Sequence, residues 1–165
     1  EHLDATVLGY LEVDSAGNVN GSERGEKFID FVGPGGLPSI VAAARTIIFV
    51  GGWMSGGKWC IEGGELKREQ AGKPKFVEKV RVVTFNGSVA LEQGKRVFYV
   101  THVGVFRLTP KGRLLEQVMP GIDIRRDIID VSEARILLPE NGVVPRVSEP
   151  VLTGINYGLA WPSGS

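Results

Sequence analysis

The sequence is short of the side chains that most often carry chemistry. Its 165 residues include one cysteine, Cys60, and two histidines, His2 and His102. A lone cysteine excludes an internal disulfide and a multi-cysteine zinc site, and two distant histidines supply no ligand spacing, so no metal is expected. A single thiol fits a reducing compartment and a cytoplasmic protein. Charge of one sign is missing too, because 19 Lys and Arg balance 19 Asp and Glu. Without a basic excess there is no footprint for nucleic acid or an anionic membrane, and neither is expected as a partner. The longest apolar stretch, Ile40 to Gly52, is broken by Arg45 and Thr46 and is too short to span a bilayer. The opening Glu1-His2 is not a charged start followed by an apolar run, so no secretory leader is expected. It is not Met either, and the chain is expected to be part of a longer product.

Glycine is abundant. The 23 glycines are roughly double the average usage of about 7%, and they punctuate apolar runs instead of forming a low-complexity tract. Ser15 to Asn18, Gly63-Gly64, Pro110 to Gly112 and Asn141-Gly142 each separate two such runs and read as hairpin turns. Strands are expected at Thr6–Val13, Thr46–Val50, Arg81–Thr84, Arg96–Leu108 and Leu114–Met119. Helices are expected at Pro38–Arg45, with proline in the first turn, and at Gly87–Gln93, capped by Asn86 and stopped by Gly94. A third is expected at Ile122–Glu133, where Ile124, Ile128 and Val131 share a face. The length suits a single domain, and the mixture predicts a strand-rich α/β or α+β fold with hairpins attached.

Two glycine clusters could meet a ligand. Gly33-Pro34-Gly35-Gly36 directly precedes the helix begun at Pro38. A glycine turn there points free N–H groups outward at the positive end of the helix dipole, which suits an anion or oxyanion. Tight turns need glycine for steric reasons as well, so both readings stand. The second cluster, Gly51-Gly52-Trp53-Met54-Ser55-Gly56-Gly57-Lys58, follows a strand, where ligand walls are common in α/β sheets. It lacks the spacing of a Walker A loop. Trp53 there could stack on a ligand or be buried. His102 has no Ser or Cys motif beside it and reads as structural, and Cys60 reads as packing. The charge runs Glu65 to Glu69 and Asp123 to Asp127 read as solvated faces.

The order of segments across nearly the full chain adds to this. Leu3 to Asp14 (LDATVLGYLEVD), then Gly17-Asn18-Val19-Asn20, resembles the "VDLxxLGAxQVD … GNxN" segment of the family I CoA-transferases. The resemblance continues through Gly33-Pro34-Gly35-Gly36 at the family's "GxGG" loop, and through Arg45 to Gly57. It then takes in Val82 to Gly87 and Val103 to Phe106, and ends with Met119-Pro120-Gly121-Ile122-Asp123 at its "APGxD" segment. "TFNG" (Thr84 to Gly87) and Gly56-Gly57 favour the single-chain acetate and propionate branch. The resemblance implies an open CoA-transferase-type sheet with helices and attached β-hairpins. It also implies transfer of CoA from an acyl-CoA to a carboxylic acid through a glutamyl-CoA thioester. CoA would then be a substrate and covalent intermediate, with no tightly bound cofactor.

By the same resemblance, the backbone amide of Gly36 would be the oxyanion donor. Gly35 would permit close approach, and Gly33, Ser55, Gly56 and Gly57 would contact CoA. Pro34 and Pro38 would stiffen the turn. The chain departs from the family in two places. The family's nucleophilic glutamate lies in an "ExG" motif upstream of the Leu3 strand, so residues 1–165 are expected to be the C-terminal part of one incomplete domain, inactive alone. Its partner would be an upstream half or a separate subunit, within a homo- or hetero-oligomer. Glu140-Asn141-Gly142 spells a decoy "ENG" at the wrong position. Gly52 to Gly56 also lacks the acid and lysine of the ketoacid branch. Fold does not fix function, so two other readings remain: a CoA-thioester hydrolase or C–C-cleaving enzyme on this scaffold, or a non-catalytic CoA-binding or assembly domain.

Overall fold

The computed structural model describes residues 3–25 and 27–159; His2 lies outside them. In chain order, β1 (Leu3–Gly9) leads to the small ladder β2 (Glu12–Val13) and β3 (Val19–Asn20), then a 3₁₀ turn at Phe28–Asp30. Next come α1 (Leu37–Ala43), β4 (Ala44–Val50), β5 (Met54–Ser55), β6 (Lys58–Glu62), β7 (Glu65–Gln70) and β8 (Lys73–Pro74). The chain continues through α2 (Gly87–Glu92), β9 (Arg96–Val100), β10 (Gly104–Thr109) and β11 (Gly112–Val118). A π-helical turn at Ile124–Ile129, β12 (Ile136–Leu137) and α3 (Glu149–Thr153) complete it.

Six strands form one open sheet in the order β1-β4-β9-β10-β11-β12. β1, β4 and β9 run parallel, β10 and β11 fold back as antiparallel neighbours, and β12 returns parallel to β11. Between the parallel strands the chain crosses over through α1 and α2, the βαβ pattern expected of an α/β fold. The smaller ladders β2–β3, β5–β8 and β6–β7 are attached to the sheet's carboxyl end. Gly63 and Gly64 turn β6 into β7 with φ of 60° and 77°, the two positive values that a type I′ turn needs.

Alternation along the strands puts Ile47, Phe49, Val97, Tyr99, Phe106 and Leu115 on one face. There they form the core with Leu37 of α1 and Ala90 of α2. Trp53, wholly buried, stacks on Phe106 at 5.3 Å with an interplanar angle of 8° and packs 4.6 Å from Phe76. The other face carries Val7, Ile48, Val50, Phe98 and Val105 in register, and neither crossover helix covers it.

Several expectations are corrected. The run Arg96–Leu108 is two strands, because the Thr101 hydroxyl accepts from Val103 N and Gly104 N at 3.2 Å and closes a turn. Arg81–Thr84 is not a strand; this region pairs only through the isolated bridge Val19–Phe85. Thr6–Val13 breaks after Gly9. The helix expected over 122–133 shrinks to its π-helical turn, whose Asp130 N–H reaches back to Arg125 O at 2.9 Å. Gly142 turns the chain, but the segments on either side both run along β11, at Ile136–Leu137 and Arg146, instead of pairing with each other.

Candidate active site

In open α/β sheets ligands bind outside the carboxyl ends of the parallel strands. Here that end gathers Tyr10 after β1, Gly51 to Ser55 after β4, and Thr101-His102 after β9. The chain rises along β1, makes its long excursion at this end, and descends through α1, so the helix begins here too. Within the turn that precedes it, Gly33 and Gly35 hold φ of 74° and 53°, values that side chains strain to adopt. Gly36 is the N-cap, with φ −82° and ψ 1°. Val32 N–H donates to Ser22 O at 2.7 Å and Leu37 N–H to Pro34 O at 3.2 Å, which fixes the turn at both ends. Leu37 is buried beneath it, while Pro34, Gly35 and Gly36 are exposed. The Gly35 and Gly36 amides have no hydrogen-bond acceptor among the described residues, leaving donors free at the start of a helix.

The second cluster divides. Trp53 is part of the core and not a ligand wall: its indole Nε1–H donates to Asp127 O at 3.0 Å inside the protein. Ser55 and Gly56 stay exposed. Ser55 rims a cavity of about 350 Å³ together with Glu12, Glu23, Arg24, Lys73 and Lys75. Its polar walls are ordered. Glu12 accepts from Asn20 Nδ2 at 2.9 Å, and the Lys75 ammonium donates to Tyr10 O at 3.0 Å while lying 4.7 Å from the Tyr10 ring. Burial, and then the neighbouring Arg24, push the Lys75 pKa down. The cavity takes no lining from residues 33–36. Both glycine clusters thus sit at the same end of the sheet without forming one pocket.

Glu140 stands at the far edge, fully exposed, 3.9 Å from Lys111. Cys60 lies half-buried on β6, and desolvation followed by Glu69 raises its thiol above the ordinary range, the opposite of an activated thiolate. His102 receives a long 3.5 Å hydrogen bond from Trp53 N–H on Nδ1, which leaves the proton of the neutral ring on Nε2. Its ring meets Trp59 edge-on at 4.6 Å. Burial lowers its pKa, so the folded state binds fewer protons than the unfolded one as pH falls through the ordinary histidine range. Stability should therefore drop on acidification below about 6.5. His102→Gln should flatten that slope in thermal melts of the chain; an unchanged slope would exclude His102 as its source.

Sequence reasoning missed two buried charged residues. Asp127, assigned to a solvated face, is buried. It accepts from Asp123 N–H at 3.0 Å and pairs with Arg126 at 2.7 Å and Arg68 at 3.4 Å. Desolvation alone would raise its pKa, and these partners lower it overall. Its pairing anchors the β6–β7 hairpin to the π-helical turn beside Trp53. Arg113 is wholly buried on the core side of β11, its guanidinium 4.5 Å from the Phe76 ring centre. Burial pulls its pKa down to about 10. Asp127 had a readable signal in the i, i+4 repeat of Asp123 and Asp127, but Arg113 had none.

No family model matches the chain. Among curated proteins it is 35% identical over 135 residues to the caffeate CoA-transferase of Acetobacterium woodii. It is 38% identical over 130 residues to the acetate CoA-transferase YdiF of Escherichia coli K12. Each match covers 78% of this chain but only 25% and 24% of the relatives, so the chain spans about a quarter of their length. Among solved structures, the acyl-CoA transferase YdiF of E. coli O157:H7, as apoenzyme, superposes with a TM-score of 0.82 at 32% identity, over 91% of this chain and 28% of that one. The same enzyme is also known as a thioester complex with CoA. A decarboxylase, AibA/AibB, shares the fold alone, with a TM-score of 0.64 at 19% identity over 88% of this chain and 51% of that one. The sheet is therefore that of an acyl-CoA-transferase fold. By sequence as well as by fold, the chain is related to CoA-transferases. Among the described residues, no helix is long and apolar enough to cross a membrane.

Proposed function

We propose that this chain is the C-terminal part of a CoA-transferase, one incomplete domain that supplies an oxyanion loop and part of the CoA and acyl pocket. A glutamate from an upstream half or separate subunit would attack the donor acyl-CoA. Its carboxylate oxygen bonds to the thioester carbon and the C–S bond breaks, giving an acyl-glutamyl anhydride and CoA thiolate. The thiolate then attacks the glutamyl carbonyl and displaces the donor acid as its carboxylate. The acceptor carboxylate reverses the sequence and leaves as a new acyl-CoA. Each addition puts negative charge on a carbonyl oxygen, and preset N–H donors lower those barriers.

The observation that carries this reading is the exposed pair of unpaired amides at Gly35 and Gly36, held by a fixed turn in a chain related to such enzymes. On the same reading Gly33, Ser55, Gly56 and Gly57 contact CoA, and short-chain carboxylic acids are the exchange partners. The test is intact-mass analysis after incubation with acetyl-CoA or propionyl-CoA. It uses this chain alone and a chimera in which it replaces the matching stretch of the E. coli relative. The chimera should gain CoA less one water on a glutamate outside these residues, and the chain alone should gain nothing. An adduct on the isolated chain would overturn the assignment and make Glu140 the first suspect.

A further inference from the structure

Buried polar hydrogens nearly always find an acceptor, and the underside of the β6–β7 hairpin holds three that do not. Trp59 and Arg68 face each other across the hairpin, which puts both side chains on one face. Leu66 is buried on that same face, and the Trp59 ring meets His102 at the end of β9. Trp59 Nε1, Arg68 Nη1 and His102 Nε2 are buried, and none has a hydrogen-bond partner among the described residues. All three are donors. Indole and guanidinium only donate, and His102 carries its proton on Nε2 because Nδ1 accepts from Trp53 N–H. The other end of the Arg68 fork, Nη2, lies 3.4 Å from Asp127, which also pairs with Arg126 at 2.7 Å. Two guanidinium groups therefore share one carboxylate, and the balance of charge is positive. Donors without acceptors beside that excess suit an anion.

The hairpin also has glycines at its base. Its two legs pass so closely that a Cβ at Gly72 would collide with Ser55 O and Gly57 N, and Gly56 holds φ of 74°. The ladder slips register between Lys58 and Trp59, just beyond these glycines. A small backbone rotation there lifts the whole hairpin, which is tied down by Leu66 N–H to Pro120 O at 2.9 Å and by Arg68 to Asp127. The loop beside the donors is bare as well. A Cβ at Gly57 would lie 3.3 Å from Trp59 Nε1, and one at Gly52 would lie 4.0 Å from His102 Cε1. We propose that the β6–β7 hairpin is a hinged flap that closes on a small monovalent oxyanion of the carboxylate type, held between Trp59, Arg68 and His102. Trp59 Nε1–H, Arg68 Nη1–H and His102 Nε2–H donate to its oxygens, and the anion ties the flap to the end of β9. Occupancy fixes the hairpin beside the Ser55 to Gly57 loop, so the anion sets how freely that loop is reached. None of the three residues belongs to the glycine turn at 33–36 or lines the Ser55 cavity, and the inference does not rest on CoA transfer.

Titration of the isotope-labelled chain with sodium formate, followed by NMR, tests this, with sodium fluoride holding the ionic strength constant. Formate should shift the Trp59 indole N–H resonance saturably and move that of Trp53, already bonded to Asp127 O, far less. It should also slow hydrogen exchange at the Leu66 amide, because a bound anion holds the flap down. Arg68→Lys keeps the charge beside Asp127 but loses the second donor of the fork. His102→Phe keeps a ring but has no donor. Each should weaken formate binding by about tenfold or more, the effect of losing one hydrogen bond to a charged group. A Trp59 resonance that does not respond would mean that water alone meets these donors, and would overturn the proposal. So would equal affinity in the parent and both variants, or a shift that fluoride alone reproduces. If a variant does not fold, the parent titration and the Leu66 exchange rate decide. The titration contains no CoA, so its failure is separate from that of the adduct experiment.

Discussion

Trp53→Ala is expected to destabilise the isolated chain by about 3–5 kcal/mol, the range for removing a fully buried large aromatic. Three contributions act together. The indole stacks on Phe106 and packs on Phe76, so its removal opens a cavity between the sheet and the attached ladders. It also leaves Asp127 O without its 3.0 Å donor in a buried place, where an unmet polar group is costly. Finally, Asp127 binds Arg68 of β7, so loosening that turn frees the β6–β7 hairpin as well. Urea unfolding followed by circular dichroism would show a lower midpoint. Trp53→Phe, which keeps a ring but loses the N–H, should cost less, about 1–2 kcal/mol. It remains measurable if the alanine variant is largely unfolded. Equal costs for the two would mean that the hydrogen bond, and not the stacking, dominates. A cost near zero for both would remove Trp53 as the anchor between the ladders and the sheet.

Features set by neighbouring residues were legible in the sequence. Asn86 caps α2 by accepting from Val89 N–H at 3.0 Å, and Gly94 ends it at φ 69°, as the spacing predicts. The Gly63-Gly64 turn and the parallel strand at Thr46–Val50 were legible for the same reason. Misreadings arose where a distant partner decides. Thr101 to Val103 contains no glycine or proline, and the turn there is made by the Thr101 hydroxyl; nothing in the local pattern announces it. Val82 and Val83 look like a strand, yet Val83 is half exposed because no strand runs alongside it. Trp53 carried the same apolar signal whether buried or facing a ligand, and only the position of Asp127 O, 74 residues away, settles which. For the candidate site, the glycine turn and its exposure could be read, but the cations around Ser55 could not. Arg24 is brought there by one segment and Lys73 and Lys75 by another, about fifty residues away.

Gly36→Pro, made in the chimera with the E. coli relative, is expected to lower kcat by about 10²–10³-fold, the usual loss for one oxyanion donor. Proline removes the N–H, and its ring also restricts the preceding Gly35, which holds φ of 53°. The φ of −82° at Gly36 is close to what the ring imposes. The position also opens α1, where the missing N–H is not part of the helical ladder. Because the donor would act on charge that develops only in the transition state, KM should change far less than kcat. Gly36→Ala keeps the N–H at the same φ, and its Cβ would come no closer than 3.6 Å to Ile40 Cδ1, so it should retain most activity. A proline variant as fast as the parent would remove Gly36 as donor. If alanine and proline are equally slow, the loss comes from the shape of the turn. A selective loss with proline, with the CoA adduct formed more slowly but on the same glutamate, would tie the free amide at the start of α1 to the barrier itself.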